Sequence, residues 1–152
     1  MSRAACLTAI VAVSSVLTTA TAATSAKENK VVVTADTRKA AFRSAVQVWQ
    51  QGRADLIGDV VTKEYVGHAS SGERDIHGLR KRVSEFHALY PDLKFTIEDQ
   101  FADGDRIVTR MTATGTSKST GKVVHLIGLN ISRFVGNRIA EEWPVWEVVQ
   151  SK

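Results

Sequence analysis

Cysteine is almost absent from this chain: Cys6 is the only one in 152 residues. No intrachain disulfide can therefore brace the fold. Proline occurs twice, at Pro91 and Pro144. The longest run of apolar or small residues, Leu7 to Leu17, is about 11 residues, well short of the ~20 that a membrane-spanning helix needs. Positive charge is scattered; the densest cluster is Arg80-Lys81-Arg82, shorter than a nucleic-acid or heparin patch. No G-x-S-x-G elbow and no glycine-rich phosphate loop after a strand occurs, so the serine-hydrolase and nucleotide readings fall. The four histidines form no H-x-H, H-E-x-x-H or i, i+4 pair, which leaves no ligand pair for a metal.

What is present is an ordinary globular balance, with 43% apolar and 24% charged residues and a formal charge of +4. The length suits one domain. The N-terminus differs from the rest. Arg3 precedes the apolar run, a tract rich in Ala, Thr and Ser follows, and no acidic residue appears before Glu28. This is the pattern of a secretory signal peptide, with Ala20-Thr21-Ala22 as the cleavage site. The expected division is a signal peptide over 1–22, a flexible segment over 23–34 and a folded domain over 35–152. Cleavage before Ala23 removes Cys6, and with it any thiol nucleophile or thiolate metal site. The mature chain is then exported, to the periplasm or the medium, with no stable membrane anchor.

Within the domain, Thr34 or Asp36 offers a helix N-cap and Gly52 a stop, with Phe42, Ala45, Val46 and Trp49 on one apolar face. A short helix is expected over Ala54 to Val61. Tyr65 to Gly72 reads as an extended segment entering a loop. Leu79, Val83, Phe86 and Tyr90 mark a third helix, stopped by Pro91. From Leu93 the period changes to alternation, with turns at Asp103-Gly104, Gly121 and Gly136-Asn137. The expectation is an α+β domain in which N-terminal helices pack on a curved antiparallel sheet of four strands or more. The stretch Val123 to Ile131 is apolar on both faces. One face covers the helices; the other calls for a dimer partner or an enclosed cavity.

Several stretches together resemble the SnoaL-like polyketide cyclases and ester cyclases of the nuclear-transport-factor-two-like superfamily. They are Val48-Trp49-Gln50-Gln51-Gly52 with Asp55-Leu56, Tyr65-Val66-Gly67-His68, Tyr90 to Asp99, Gly104 to Val108, Thr112 to Thr116 and Asn137 to Trp143. The resemblance implies a cone-shaped sheet around helices, an apolar pocket, dimerisation through the outer sheet face, and general acid/base chemistry without cofactor or metal. It places a catalytic His or acid at Glu142, where the alternation sets Glu142, Pro144 and Trp146 on one face and Glu141, Trp143 and Val145 on the other. A second acid expected two residues later is replaced by Pro144, which leaves Glu142 as the catalytic candidate. His68 stands at the family's pocket-lining histidine.

His125 either points into the cavity as a third proton-transfer group or is a core histidine. Arg110 either faces the cavity, pairing with Glu142 or an anionic substrate, or lies on the outer face; spacing alone does not choose. Trp49, Tyr65, Phe86, Met111 and Trp146 are the candidate ligand-binding residues beside Arg110. The function expected is a cyclase, isomerase or hydrolase acting on a small hydrophobic carbonyl, ester or polycyclic compound. The rival is an exported binding module with the same pocket and no turnover. A homodimer is the expected assembly; a nucleic-acid partner is not.

Overall fold

The computed structural model describes residues 33–149; the expected leader lies outside them. The first helix, α1 (Ala35–Gln50), begins with a capping box in which the Thr34 hydroxyl accepts from the Thr37 amide and the Thr37 hydroxyl accepts from the Thr34 amide. A single 3-10 turn (Ala54–Leu56) and a short helix α2 (Ile57–Val60) lead into strands β1 (Val61–Ala69) and β2 (Gly72–Arg74). Helix α3 (Ile76–Leu89) is capped by the Asp75 carboxylate, which accepts from the Gly78 amide at 2.8 Å. Four long strands follow: β3 (Lys94–Asp103), β4 (Arg106–Thr116), β5 (Val123–Val135) and β6 (Arg138–Val149).

The expected four-strand meander is present as β3 to β6, but the sheet is larger and mixed. Its order is β2-β1-β6-β5-β4-β3, with six strands. Strand β1 runs parallel to β6, and β2 returns antiparallel on β1 at the edge. The segment from Tyr65, expected to be extended and to enter a loop, is strand through Ala69. Its hydrogen-bonding partner, β6, lies some seventy residues further along the chain (Gly67 pairs with Glu142), beyond the reach of local pattern. Register shifts between Val61 and Val66, Ile97 and Asp99, and Arg133 and Phe134 interrupt the ladders and bend the strands. The helices sit on the concave side of the open, cone-like sheet.

Alternation divides the sheet cleanly. Ile107, Thr109, Met111 and Ala113 of β4 are buried, while Arg106, Arg110 and Thr114 between them are exposed. The concave side meets Phe42, Ile57, Leu79 and Val83 from the helices, and Phe134 and Ile139 belong to the same core. Full burial of such a side chain contributes about 1.5–3 kcal/mol. The helices do not fill the concave side completely, and the space left is the cavity described next.

Candidate functional site

Register fixes which side chains share the concave face. Reading across β4, β5, β6, β1 and β2, the aligned positions are Ile107, Ser132, Glu142, Gly67 and Arg74. Asn130 lies one inward position along β5, paired with Pro144. These residues surround one carboxylate. Tyr65 donates its hydroxyl to Glu142 Oε2 at 2.9 Å, Asn130 Nδ2 donates to Oε1 at 2.8 Å, and Ser132 Oγ donates to Oε1 at 3.2 Å.

Gly67 makes this arrangement possible. A Cβ there would fall 2.6 Å from the Tyr65 hydroxyl oxygen, so only glycine lets that hydroxyl cross β1 to reach Glu142.

Withdrawal from water dominates the electrostatics. Desolvation pushes the Glu142 pKa above the ordinary carboxylate value; the three donors and the Arg74 charge pull it down without cancelling the rise. The Tyr65 phenol is raised as well, by its own burial first and by the neighbouring carboxylate second. Asn130 is buried, and its Oδ1 has no partner among the described residues. It faces the cavity and can accept a hydrogen bond from a bound molecule.

The cavity has a volume of about 400 Å³ and is lined by all three helices and by β1, β5 and β6. Trp49 and Phe86 contribute an edge-to-face pair with centroids 6.2 Å apart. Trp146 lies across Gly128, where a Cβ would meet its ring at 2.4 Å, and packs edge-on against Phe95. The charged residues of the lining are Glu142, Arg74 and Arg82. A space of this size with a few convergent polar groups suits a small, largely apolar molecule.

Of the residues singled out in the sequence, Glu142, Tyr65, Trp49, Phe86 and Trp146 come together around this cavity. Met111 is buried in the core on the same side of the sheet but does not line the space. The structure does not bring His68, His125 or Arg110 to it. Strand β1 continues through Ala69, so Tyr65, Gly67 and Ala69 point inward and His68 points outward. There His68 Nε2 lies 2.9 Å from Glu141 Oε1, Nδ1 lies 3.2 Å from Glu73, and the ring stacks on Trp143. Arg133 Nε donates to Glu141 Oε2 at 2.8 Å, and this bond, followed by the one from His68, holds the Glu141 carboxyl below its usual range.

His125 is exposed on the outer side of β5, paired with Thr114 and Val149. Arg110 is likewise on the outer face, opposite Leu129 and beside Val145 and Glu147. Of the two alternatives left open for Arg110 the structure shows the outer-face one, and Glu142 is held by neutral donors with Arg74 as the nearby cation.

Asn130, Ser132 and Arg74 are the residues that sequence reasoning missed. A signal for the first two exists: they are polar residues at the inward positions of an otherwise apolar strand. Arg74 carries none, because its neighbour across the sheet is set by the β1–β2–β6 register alone. Among the described residues no three His, Cys, Asp or Glu side chains cluster so as to hold a metal ion.

The model of a family described as SnoaL-like polyketide cyclase matches residues 39–151. Among solved structures, a candidate polyketide cyclase from Acidithiobacillus ferrooxidans is 28% identical, with a TM-score of 0.67 over 73% of this chain and 88% of that one. AclR, a candidate hydroxylase from Streptomyces galilaeus, is 23% identical with a TM-score of 0.68, covering 75% and 91%. IdmH, a candidate polyketide cyclase from Streptomyces antibioticus, is 22% identical with a TM-score of 0.65, covering 72% and 91%. The last two likenesses speak for the fold alone. No curated protein matches this chain.

Proposed function

This chain belongs to the SnoaL-like polyketide cyclase family, and we propose that it is a cofactor-independent acid/base enzyme acting on a small hydrophobic carbonyl, ester or polycyclic compound. The observation that carries this reading is Glu142: a carboxylate with a raised pKa, facing an apolar cavity, held in one orientation by Tyr65, Asn130 and Ser132. A carboxylate that is desolvated is a stronger base when ionised and a competent acid near neutral pH. In the reaction, ionised Glu142 takes the proton from a carbon next to a carbonyl. The enolate formed attacks a second carbonyl of the same molecule, making one C–C bond, and the proton on Glu142 returns to the new alkoxide. The step consumes no oxidant, reductant or water.

The test is solvent exchange. Small 1,3-dicarbonyl and aryl-ketone ester compounds are incubated with the protein in deuterated water and followed by mass spectrometry. Exchange at the α-carbon, or ring closure, is expected to slow ~10²–10⁴-fold in Glu142→Gln. Equal exchange with and without the carboxylate removes Glu142 from the mechanism.

A non-catalytic binding module is the second reading, and one observation favours it: the two other expected proton-transfer groups, His68 and His125, lie on the opposite face from the cavity. In that case Trp146→Ala costs affinity and no compound is consumed. Two further proposals concern the setting. The leader pattern supports export, and N-terminal sequencing of the exported chain is expected to begin at Ala23. Exposed Phe101, Ile127, Leu129 and Val145 on the outer face support a homodimer through that face. Native mass spectrometry of the mature chain reads the subunit number directly.

A further inference from the structure

The charges of the cavity are unbalanced. Arg74 and Arg82 both line it, and among the described residues Glu142 is the only carboxylate that does. The Glu142 oxygens are occupied by Tyr65, Asn130 and Ser132, not by either guanidinium. Among the described residues neither guanidinium is ion-paired: Arg74 Nη2 donates to the Ser71 hydroxyl at 2.9 Å, and Arg82 lies over the Phe86 ring at 5.0 Å. By contrast Arg53 and Arg133 each have a carboxylate partner. The placement also matters. Arg74 sits on the edge strand, two strands across from Glu142 with only Gly67 between them, so its charge is felt at both Glu142 and Tyr65. Arg82 projects from the same side on α3. Ser70 and Ser71, in the turn between β1 and β2, also line the space and are exposed. The apolar interior therefore has a mouth that carries two free cations and two hydroxyls.

We propose that the molecule bound here is an apolar, ring-sized compound bearing one oxyanion group, with the rings against Trp49, Phe86 and Trp146 and the anion held at the mouth by Arg74 and Arg82. A guanidinium presents several N–H donors in a fixed plane and suits an oxyanion better than a neutral carbonyl. This inference rests on the cavity as a ligand site, and not on catalysis by Glu142. It gives the substrate a direction: the anionic end stays at the mouth while the apolar body reaches Glu142.

The test uses two probes that differ by one group, 8-anilinonaphthalene-1-sulfonate and its neutral counterpart N-phenyl-1-naphthylamine, titrated against the mature chain by fluorescence. The sulfonate is expected to bind about tenfold more tightly, the scale of one charge-assisted hydrogen bond at a half-buried site. Raising the salt concentration should narrow that preference. The double variant Arg74→Gln, Arg82→Gln should bind both probes equally, within about twofold, with its affinity for the neutral probe unchanged. Arg82→Gln alone, at an exposed position, should lose part of the preference and covers the case in which the double variant does not fold. Arg110→Gln, beside the apolar outer face, should keep the full preference.

Tight binding of the neutral probe with no preference for the sulfonate overturns the proposal while leaving the cavity as an apolar site. A preference that survives in the double variant overturns it too, as does one lost in Arg110→Gln, which places the anion on the outer face. Failure of both probes to bind overturns the ligand-site reading itself. Loss of turnover in Glu142→Gln with the sulfonate preference intact separates this inference from the catalytic one.

Discussion

Glu141 and Glu142 are adjacent on β6 and meet opposite environments. Glu142 turns into the cone, where three neutral donors hold it and the loss of water drives its pKa up. Glu141 turns outward, where Arg133 and His68 flank it and its pKa is driven down. The two share backbone, chemistry and sequence neighbourhood. What separates them is the side of the sheet, and so the character of a carboxylate in this fold is set by strand parity. The concave side withdraws its carboxylate from water; the outer side has the means to hold strands together, since the Glu141 cluster ties β1, β2, β5 and β6.

The contrast breaks most visibly in turnover. Glu142→Gln is expected to cost ~10²–10⁴-fold in rate, whereas Glu141→Gln should stay within about threefold of wild type. Comparable losses in the two variants would sink the division. Next in size is Gly128→Ala. Its Cβ has no room beneath the Trp146 ring, so the ring must move into the cavity at a cost of about 1–3 kcal/mol. Weaker binding of a neutral aromatic probe, together with a lowered melting temperature, is the expected result.

Tyr65→Phe sharpens the inner half of the comparison. It removes a donor that favours the charged form, so the Glu142 pKa should rise further. The pH at which activity depends on an ionised Glu142 is then expected to move up. A downward move would show that the hydroxyl stabilises the protonated acid instead.

The smallest effects lie in the pH dependence of stability, where the two carboxylates have opposite signs. Glu142 binds its proton more tightly in the folded state than in the unfolded. Its contribution is present below the unfolded-state pKa and is lost as pH rises through the raised folded value. Glu141 binds its proton less tightly when folded. Its contribution is present above the unfolded-state pKa and is lost as pH falls through the depressed folded value. Denaturant melts across the acid-to-neutral range should therefore flatten on the alkaline side in Glu142→Gln and on the acid side in Glu141→Gln. Identical curves for the two variants would remove the electrostatic distinction.

Alternation was enough to divide β6 into its two faces, and the helix signals from Thr34 to Pro91 appear in the structure as α1 to α3. His68 was placed at the cavity by the family resemblance, whereas alternation from inward-facing Tyr65 puts it on the opposite face. The residues after Tyr65 read as extended, but their parallel partner, the distant β6, leaves no local mark in the sequence. For His125 and Arg110 the strands were legible but their inward parity was not; that is decided by which neighbour packs beneath, Leu126 and Met111 being the inward ones. The donors to Glu142 were hidden for a related reason. Ser132 and Asn130 reach it through the β5–β6 register, which a turn at Gly136-Asn137 and a bulge together determine.

The position of β6 has a further meaning for assembly. Among the described strands it comes latest in the chain, and it is one of the two central ones, between β1 and β5. Until it forms, the sheet exists as two unconnected pieces, a β1–β2 hairpin and a β3–β5 meander, each with an open edge. The strand that joins them also carries Glu142, whose partners stand on both pieces: Tyr65 on one, Asn130 and Ser132 on the other. Closure of the sheet and assembly of the hydrogen bonds around Glu142 are then a single event, and a chain stalled before that event has neither. Such long-range pairing is slow to find, so partly folded chains should expose the β1 and β5 edges and be most prone to aggregate at that stage.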